Sequence, residues 1–133
     1  DLNRMFPGTK NGSLASRFAY HILNEIAPHI DYCIDFHTGG AQRFNYSQLR
    51  LDITKTETLE LAKIFGVKFI IDAEQRDKSF REALSSLGKN VLLFEGGKSL
   101  NLDRIVTKIA IQGALKVMHH LKMRDLSKES LIN

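Results

Sequence analysis

Amphipathic helical stretches alternate along this chain with short apolar runs, and that alternation limits the available folds more than any other feature. Leu14, Phe18, Ile22 and Ile26 recur every fourth residue with Ala15 and Ala19 beside them, so Ser13 to Ala27 reads as a helix stopped by Pro28. Its apolar stripe must pack on something. From Ile30 to Phe36 the period drops to two: Ile30, Tyr32, Ile34 and Phe36 alternate with Asp31, Cys33 and Asp35. Asp35 and His37 then share one side of a strand.

The pattern repeats downstream. Thr54-Lys55-Thr56-Glu57 has the form of a capping box, and its helix runs through Leu59, Ala62 and Phe65 to Gly66, which suits a C-terminal cap. A second strand, Val67 to Ile71, follows. Ser79-Phe80-Arg81-Glu82 is another capping box, opening a short helix that stops at Gly88 before the apolar strand Val91 to Phe94. The last helix, about Leu102 to Leu121, carries Val106, Ile109, Ala110, Gly113, Val117 and Leu121 on one stripe. The expected fold is therefore α/β: a central mixed or largely parallel sheet flanked by helices, with ligands gathered at the carboxyl ends of strands. Three strands are few for a covered sheet, so neighbouring strands are expected from sequence outside these residues. An open sheet edge could also pair with a second copy, as a homo-oligomer.

Composition narrows the function. At 133 residues, 43% hydrophobic and 26% charged, the chain suits one small domain with a core, and no apolar run reaches the roughly 18 to 20 residues needed to span a bilayer. No signal peptide opens it, which points to a cytoplasmic setting. The net charge of +4 comes from 19 basic and 15 acidic residues that are interspersed, not gathered into a basic stripe with aromatics. Neither nucleic acid nor membrane is the expected partner. Cys33 reads as a small buried hydrophobe. The chain opens on Asp1 with a working motif in its first four residues, so the expectation is part of something longer.

Several residues could carry chemistry. His37, in Asp35-Phe36-His37-Thr38-Gly39-Gly40, ends an apolar run, where an imidazole can bind a metal or serve as a hydrogen-bonded structural residue. The paired glycines would let backbone amides line a site. Catalytic zinc takes three protein ligands and keeps one open position, yet His21, His29, His119 and His120 complete no ligand spacing with His37. Glu95 follows four apolar residues and precedes Gly96-Gly97, a placement equally suited to a general base and to a solvated acid. Asn3-Arg4 precedes the turn Phe6-Pro7-Gly8, and Arg43 with Asn45 repeats the pairing after Gly40. A guanidinium fork matches a carboxylate, so the two pairs suggest an anionic substrate, while each alone also suits a surface ion pair. Tyr46, Gln48 and Arg50 are vaguer candidates. His21 with Glu25, and His119-His120, read as polar helix surface.

At Asp1-Leu2-Asn3-Arg4-x-Phe6-Pro7-Gly8, Leu14-Ala15-Ser16-Arg17, Asp35-Phe36-His37-Thr38-Gly39-Gly40, Arg43-x-Asn45 and Glu95-Gly96-Gly97, the chain resembles the succinylglutamate desuccinylase and aspartoacylase family. These are zinc-dependent deacylases related to the zinc carboxypeptidases. The resemblance spans residues 1–121 and implies a truncated, zinc-carboxypeptidase-like α/β fold, with 122–133 a polar tail. It further implies one zinc ion held in part by His37, Glu95 as general base, Asn3 and Arg4 as a clamp on a substrate carboxylate, and Arg43, with Asn45 beside it, as a second anion-binding group.

The family's His-x-x-Glu zinc motif does not occur in these residues, because His21 and Glu25 have the wrong spacing. Two zinc ligands are therefore expected upstream of Asp1. The family's C-terminal β-rich domain is missing as well. The implied activity is hydrolysis of the amide bond of an N-acyl amino acid or similar small anion, with this chain incomplete by itself. The alternatives are a non-catalytic carboxylate-binding module and an inactive fragment.

Overall fold

A computed structural model of the chain describes residues 1–127. The tail expected over 122–133 is described only as far as Ser127; the rest lies outside the described residues. The elements are α1 (Leu14–His21), β1 (Tyr32–Gly39), β2 (Asn45–Leu51), α2 (Thr56–Phe65), β3 (Phe69–Asp72), α3 (Phe80–Ser86), β4 (Asn90–Lys98) and α4 (Arg104–His120). The four strands form one sheet in the order β1-β4-β2-β3. It is mixed, because β2 runs parallel to β3 and antiparallel to β4.

Among the described residues, one compact unit comprises Ile34–Ala73 and the chain from Leu92 to Ser127. Its core joins Leu49 and Leu51 of β2, Leu92 and Phe94 of β4, Leu61, Ala62 and Phe65 of α2, and Val117 of α4. The expected stripe on the last helix does pack there: Val106, Ile109, Ala110 and Leu121 all lie against this core. Asp103 caps α4 by accepting from the amides of Ile105 and Val106 at 2.9 and 3.0 Å. Gly66 ends α2 with φ +84°, as its position predicted. The capping box at Thr54 is not formed. Lys55 takes the cap position with no side-chain bond, because Thr54 instead turns back to the Asp52 carboxylate.

The strand β2 was not expected. Asn45-Tyr46-Ser47-Gln48-Leu49-Arg50-Leu51 has no continuous apolar run, yet Leu49 and Leu51 are both fully buried on one face. Its polar alternate positions, Gln48 and Arg50, therefore point the other way.

The second unit comprises Asp1–Cys33 and Glu74–Val91. Ala27, Leu84 and Val91 form its small core, with Leu23, Ile30, Cys33 and Phe80 packed around them. Cys33 is half-buried rather than fully enclosed. Ser79 caps α3 as its motif predicted, its hydroxyl accepting from the Glu82 amide at 3.2 Å. Phe6 is buried against Phe80, with ring centroids 5.2 Å apart.

The first helix departs from expectation in two ways. Its α-helical part ends at His21, a wider π turn covers Ile22–Ile26, and a tight turn holds Pro28. Its buried face is also not the predicted stripe. Leu14, Phe18 and Ile26 are exposed, while Ser16 and Ala19 are buried. The small residues win because the preceding loop lies close on them: the Thr9 amide bonds to both the Ser16 carbonyl and the Ser16 hydroxyl.

Candidate functional site

The alternation of β1 sets the first half of the site. Ile34 packs on the large core and the Phe36 ring lies 5.7 Å from that of Phe94, so Asp35 and His37 must project from the opposite face. There the His37 Nε2 lies 2.9 Å from Asp35 Oδ2. The side chains retain 32% and 18% exposure, so the pair is accessible but partly shielded. A carboxylate on one ring nitrogen fixes the orientation and tautomer of an imidazole whose other nitrogen faces a metal. With Nε2 turned to Asp35, that other nitrogen is Nδ1.

The second half comes from β4 and the unexpected strand. Phe94 faces the core, so Glu95 projects from the opposite face, as Gln48 and Arg50 do from β2. Gln48 sits directly across from Glu95 in the antiparallel ladder. Its Nε2 donates to Glu95 Oε2 at 3.2 Å, and the Arg50 Nε lies 2.9 Å from the same oxygen. The guanidinium N–H is not aligned for a hydrogen bond, so this contact is electrostatic. At 35% and 20% exposure the ion pair is screened, and such pairs contribute only about 0–1 kcal/mol to stability. Orientation of the carboxylate is its larger effect. A one-residue register shift between Asn45 and Gln48 lies beside Glu95. Bulges of this sort re-aim neighbouring side chains.

Asp35, His37, Gln48, Arg50 and Glu95 thus occupy one face of the sheet. His37 and Glu95 sit within their strands, because β1 continues to Gly39 and β4 to Lys98. The glycine after Thr38 has a local structural cause: a side chain on Gly39 would run into the Arg43 carbonyl. Among the described residues no group of three histidine, cysteine or acidic side chains could hold a metal ion. His37 with Asp35 fits the donor chemistry of one zinc ligand and its supporting carboxylate, and a complete site needs donors from elsewhere.

The expected anion-binding residues are placed as follows. Asn3 directs its Oδ1 to the Phe80 amide at 2.8 Å, so it helps hold the start of α3. Arg4 is half-buried, with one guanidinium nitrogen on the Asn3 carbonyl. Arg43 is exposed in the loop before β2, and Asn45 begins that strand opposite Gly97. His21 and Glu25 meet at 2.6 Å on the surface of their helix, while His119 and His120 are exposed in the last turn of α4.

The sequence marks Gln48 and Arg50 only as vague candidates. Their period-two alternation with Leu49 and Leu51 was the available signal, but it assigns no partner. Pairing with Glu95 across 45 to 47 positions became visible only with the sheet register.

Residues 1–121 match the succinylglutamate desuccinylase/aspartoacylase catalytic domain. The chain belongs to that family. Among similar solved structures, the apo ectoine utilization protein EutE (DoeB) of Ruegeria pomeroyi is 23% identical, with a TM-score of 0.82 over 92% of this chain and 41% of its own. The product-bound form of the same protein is 24% identical, with a TM-score of 0.78 over 90% and 38%. The succinylglutamate desuccinylase/aspartoacylase of Rhodobacter sphaeroides is 24% identical, with a TM-score of 0.82 over 92% and 38%. No curated protein matches the chain at a significant level. The family fold is thus present over the whole described sheet, and the chain spans about two fifths of the length of these relatives.

Proposed function

We propose that this chain supplies the later part of the catalytic domain of a zinc-dependent hydrolase, one that cleaves the amide bond of an N-acyl amino acid or a similar small carboxylate-bearing substrate. The observation that carries this reading is the common sheet face on which the Asp35–His37 pair and the Gln48/Arg50-held Glu95 project, in a chain of a deacylase family. The product-bound relative supports a small-molecule substrate. The setting in this reading is cytoplasmic.

In this reading His37 is one metal ligand, oriented by Asp35, and two further ligands come from sequence upstream of Asp1. Zinc, when bound, polarises the amide carbonyl and lowers the pKa of water. Glu95 takes the proton of the attacking water and passes it to the leaving amine. Arg4, with Asn3 beside it, clamps a substrate carboxylate, and Arg43, with Asn45 beside it, is a second anion-binding group. Arg4 is the exacting member, since a bidentate fork is not reproduced by lysine.

The test is hydrolysis of a panel of N-acyl amino acids by the full-length protein, with metal content followed in parallel. Glu95→Gln is expected to lower kcat about 10²–10⁴-fold while zinc stays bound. His37→Ala should lose both zinc and activity. Hydrolysis unaffected by either substitution refutes the assignment.

A second reading, a carboxylate-binding module without chemistry, draws on the absence of a three-donor cluster among the described residues. Saturable binding of N-acyl amino acids without turnover by the full-length protein would favour it. So would an upstream coding sequence lacking a His-x-x-Glu motif.

A further inference from the structure

We propose that Arg50 is a positioning residue that fixes which oxygen of Glu95 exchanges protons, with Gln48 as its accessory. The inference rests on the reading of Glu95 as general base. Two groups converge on one atom: the Gln48 Nε2 donates to Glu95 Oε2 at 3.2 Å, and the Arg50 Nε makes an ion-pair contact with the same oxygen at 2.9 Å. Among the described residues Glu95 accepts its hydrogen bond through Oε2, and none engages Oε1. A carboxylate held by one oxygen presents the other in a fixed direction, and proton transfer needs a base within hydrogen-bond reach of its target.

The architecture around the pair supports this division of labour. Gln48 and Arg50 lie two residues apart on β2, whose alternate residues Leu49 and Leu51 are fully buried in the core, so the backbone carrying both side chains is anchored. Glu95 stands on β4 beside Phe94, which is buried in the same core. The register Gln48–Glu95 and Arg50–Leu93 brings both side chains to one carboxylate. A side chain gripped from two anchored positions loses the rotamer freedom a lone strand glutamate would keep.

The experiment is a double-variant cycle in the full-length protein, reading kcat and KM separately. Arg50→Met keeps the stem and removes the charge and donors. It is expected to lower kcat roughly 100-fold, the scale of a misplaced catalytic group, with KM within about twofold of wild type. Arg50→Lys should recover part of that loss. In a Glu95→Gln background, Arg50→Met should cost nothing further, because Arg50 acts only through the carboxylate.

Losses that multiply in the double variant overturn the inference. So does a rise in KM with kcat unchanged, which would make Arg50 a substrate-binding group. If Arg50→Met does not fold, Arg50→Lys carries the same comparison, and a kcat equal to wild type with altered melting alone overturns the inference. If Glu95→Gln itself retains wild-type kcat, it is the proposed function that falls. That outcome is distinct from all the others.

Discussion

Adding a single methyl group at Gly113 tests how closely α2 and α4 approach. A Cβ built on Gly113 would sit inside the van der Waals envelope of three ring carbons of Phe65. Phe65 is 2% exposed, and its ring lies 5.7 Å from that of Phe94, so it has little room to withdraw. Two effects oppose each other in Gly113→Ala. Alanine gains about 1 kcal/mol of helix propensity over glycine, whereas overpacking a filled core costs about 1–3 kcal/mol. Because the obstruction is a buried aromatic ring rather than the end of a flexible chain, the upper part of that range applies. The net expectation is destabilisation by about 1–2 kcal/mol, or a Tm lower by roughly 4–8 °C. Thermal and urea unfolding followed by far-UV circular dichroism would measure it. The same substitution should cost less in a Phe65→Leu background, since the two positions touch and are expected to couple. A Gly113→Ala protein as stable as wild type, or more so, would refute the close helix approach, because propensity alone would then have decided the sign.

Other perturbations probe the caps and the site. Asn3→Ala removes the acceptor for the Phe80 amide and should destabilise the chain by about 1 kcal/mol in urea unfolding; no change would show that Asn3 is not needed to hold α3. Asp103→Ala should cost about 1 kcal/mol by uncapping α4, and Asp103→Asn should restore most of it. Asp35→Asn, measured by hydrolysis in the full-length protein, should lower activity about 10–100-fold without unfolding, because it weakens the carboxylate that orients His37. An effect smaller than twofold would make the Asp35–His37 contact incidental.

The sequence by itself determined the features that depend on near neighbours. The period-two run through Ile34 and Phe36 already put Asp35 and His37 on one side, and the stripe from Val106 to Leu121 already named the packed face of the last helix. Gly66 and Ser79 marked helix ends for the same reason: a cap is a contact among residues a few positions apart. Likewise, the ordered motifs from Asp1 to Glu95-Gly96-Gly97 carried the family resemblance.

Tertiary structure decided whatever required residues distant in the chain to meet. The apolar stripe of α1 lost to Ser16 and Ala19 because a nearby loop needed small residues to approach, a demand no periodicity encodes. Asn45–Leu51 became a strand inside the sheet, between β4 and β3, although its own residues are half polar, because its neighbours satisfy its backbone and bury Leu49 and Leu51. That placement turned Gln48 and Arg50 from vague candidates into the partners of Glu95. The register of an antiparallel ladder joins residues dozens of positions apart, and local sequence carries no record of which oxygen they will share.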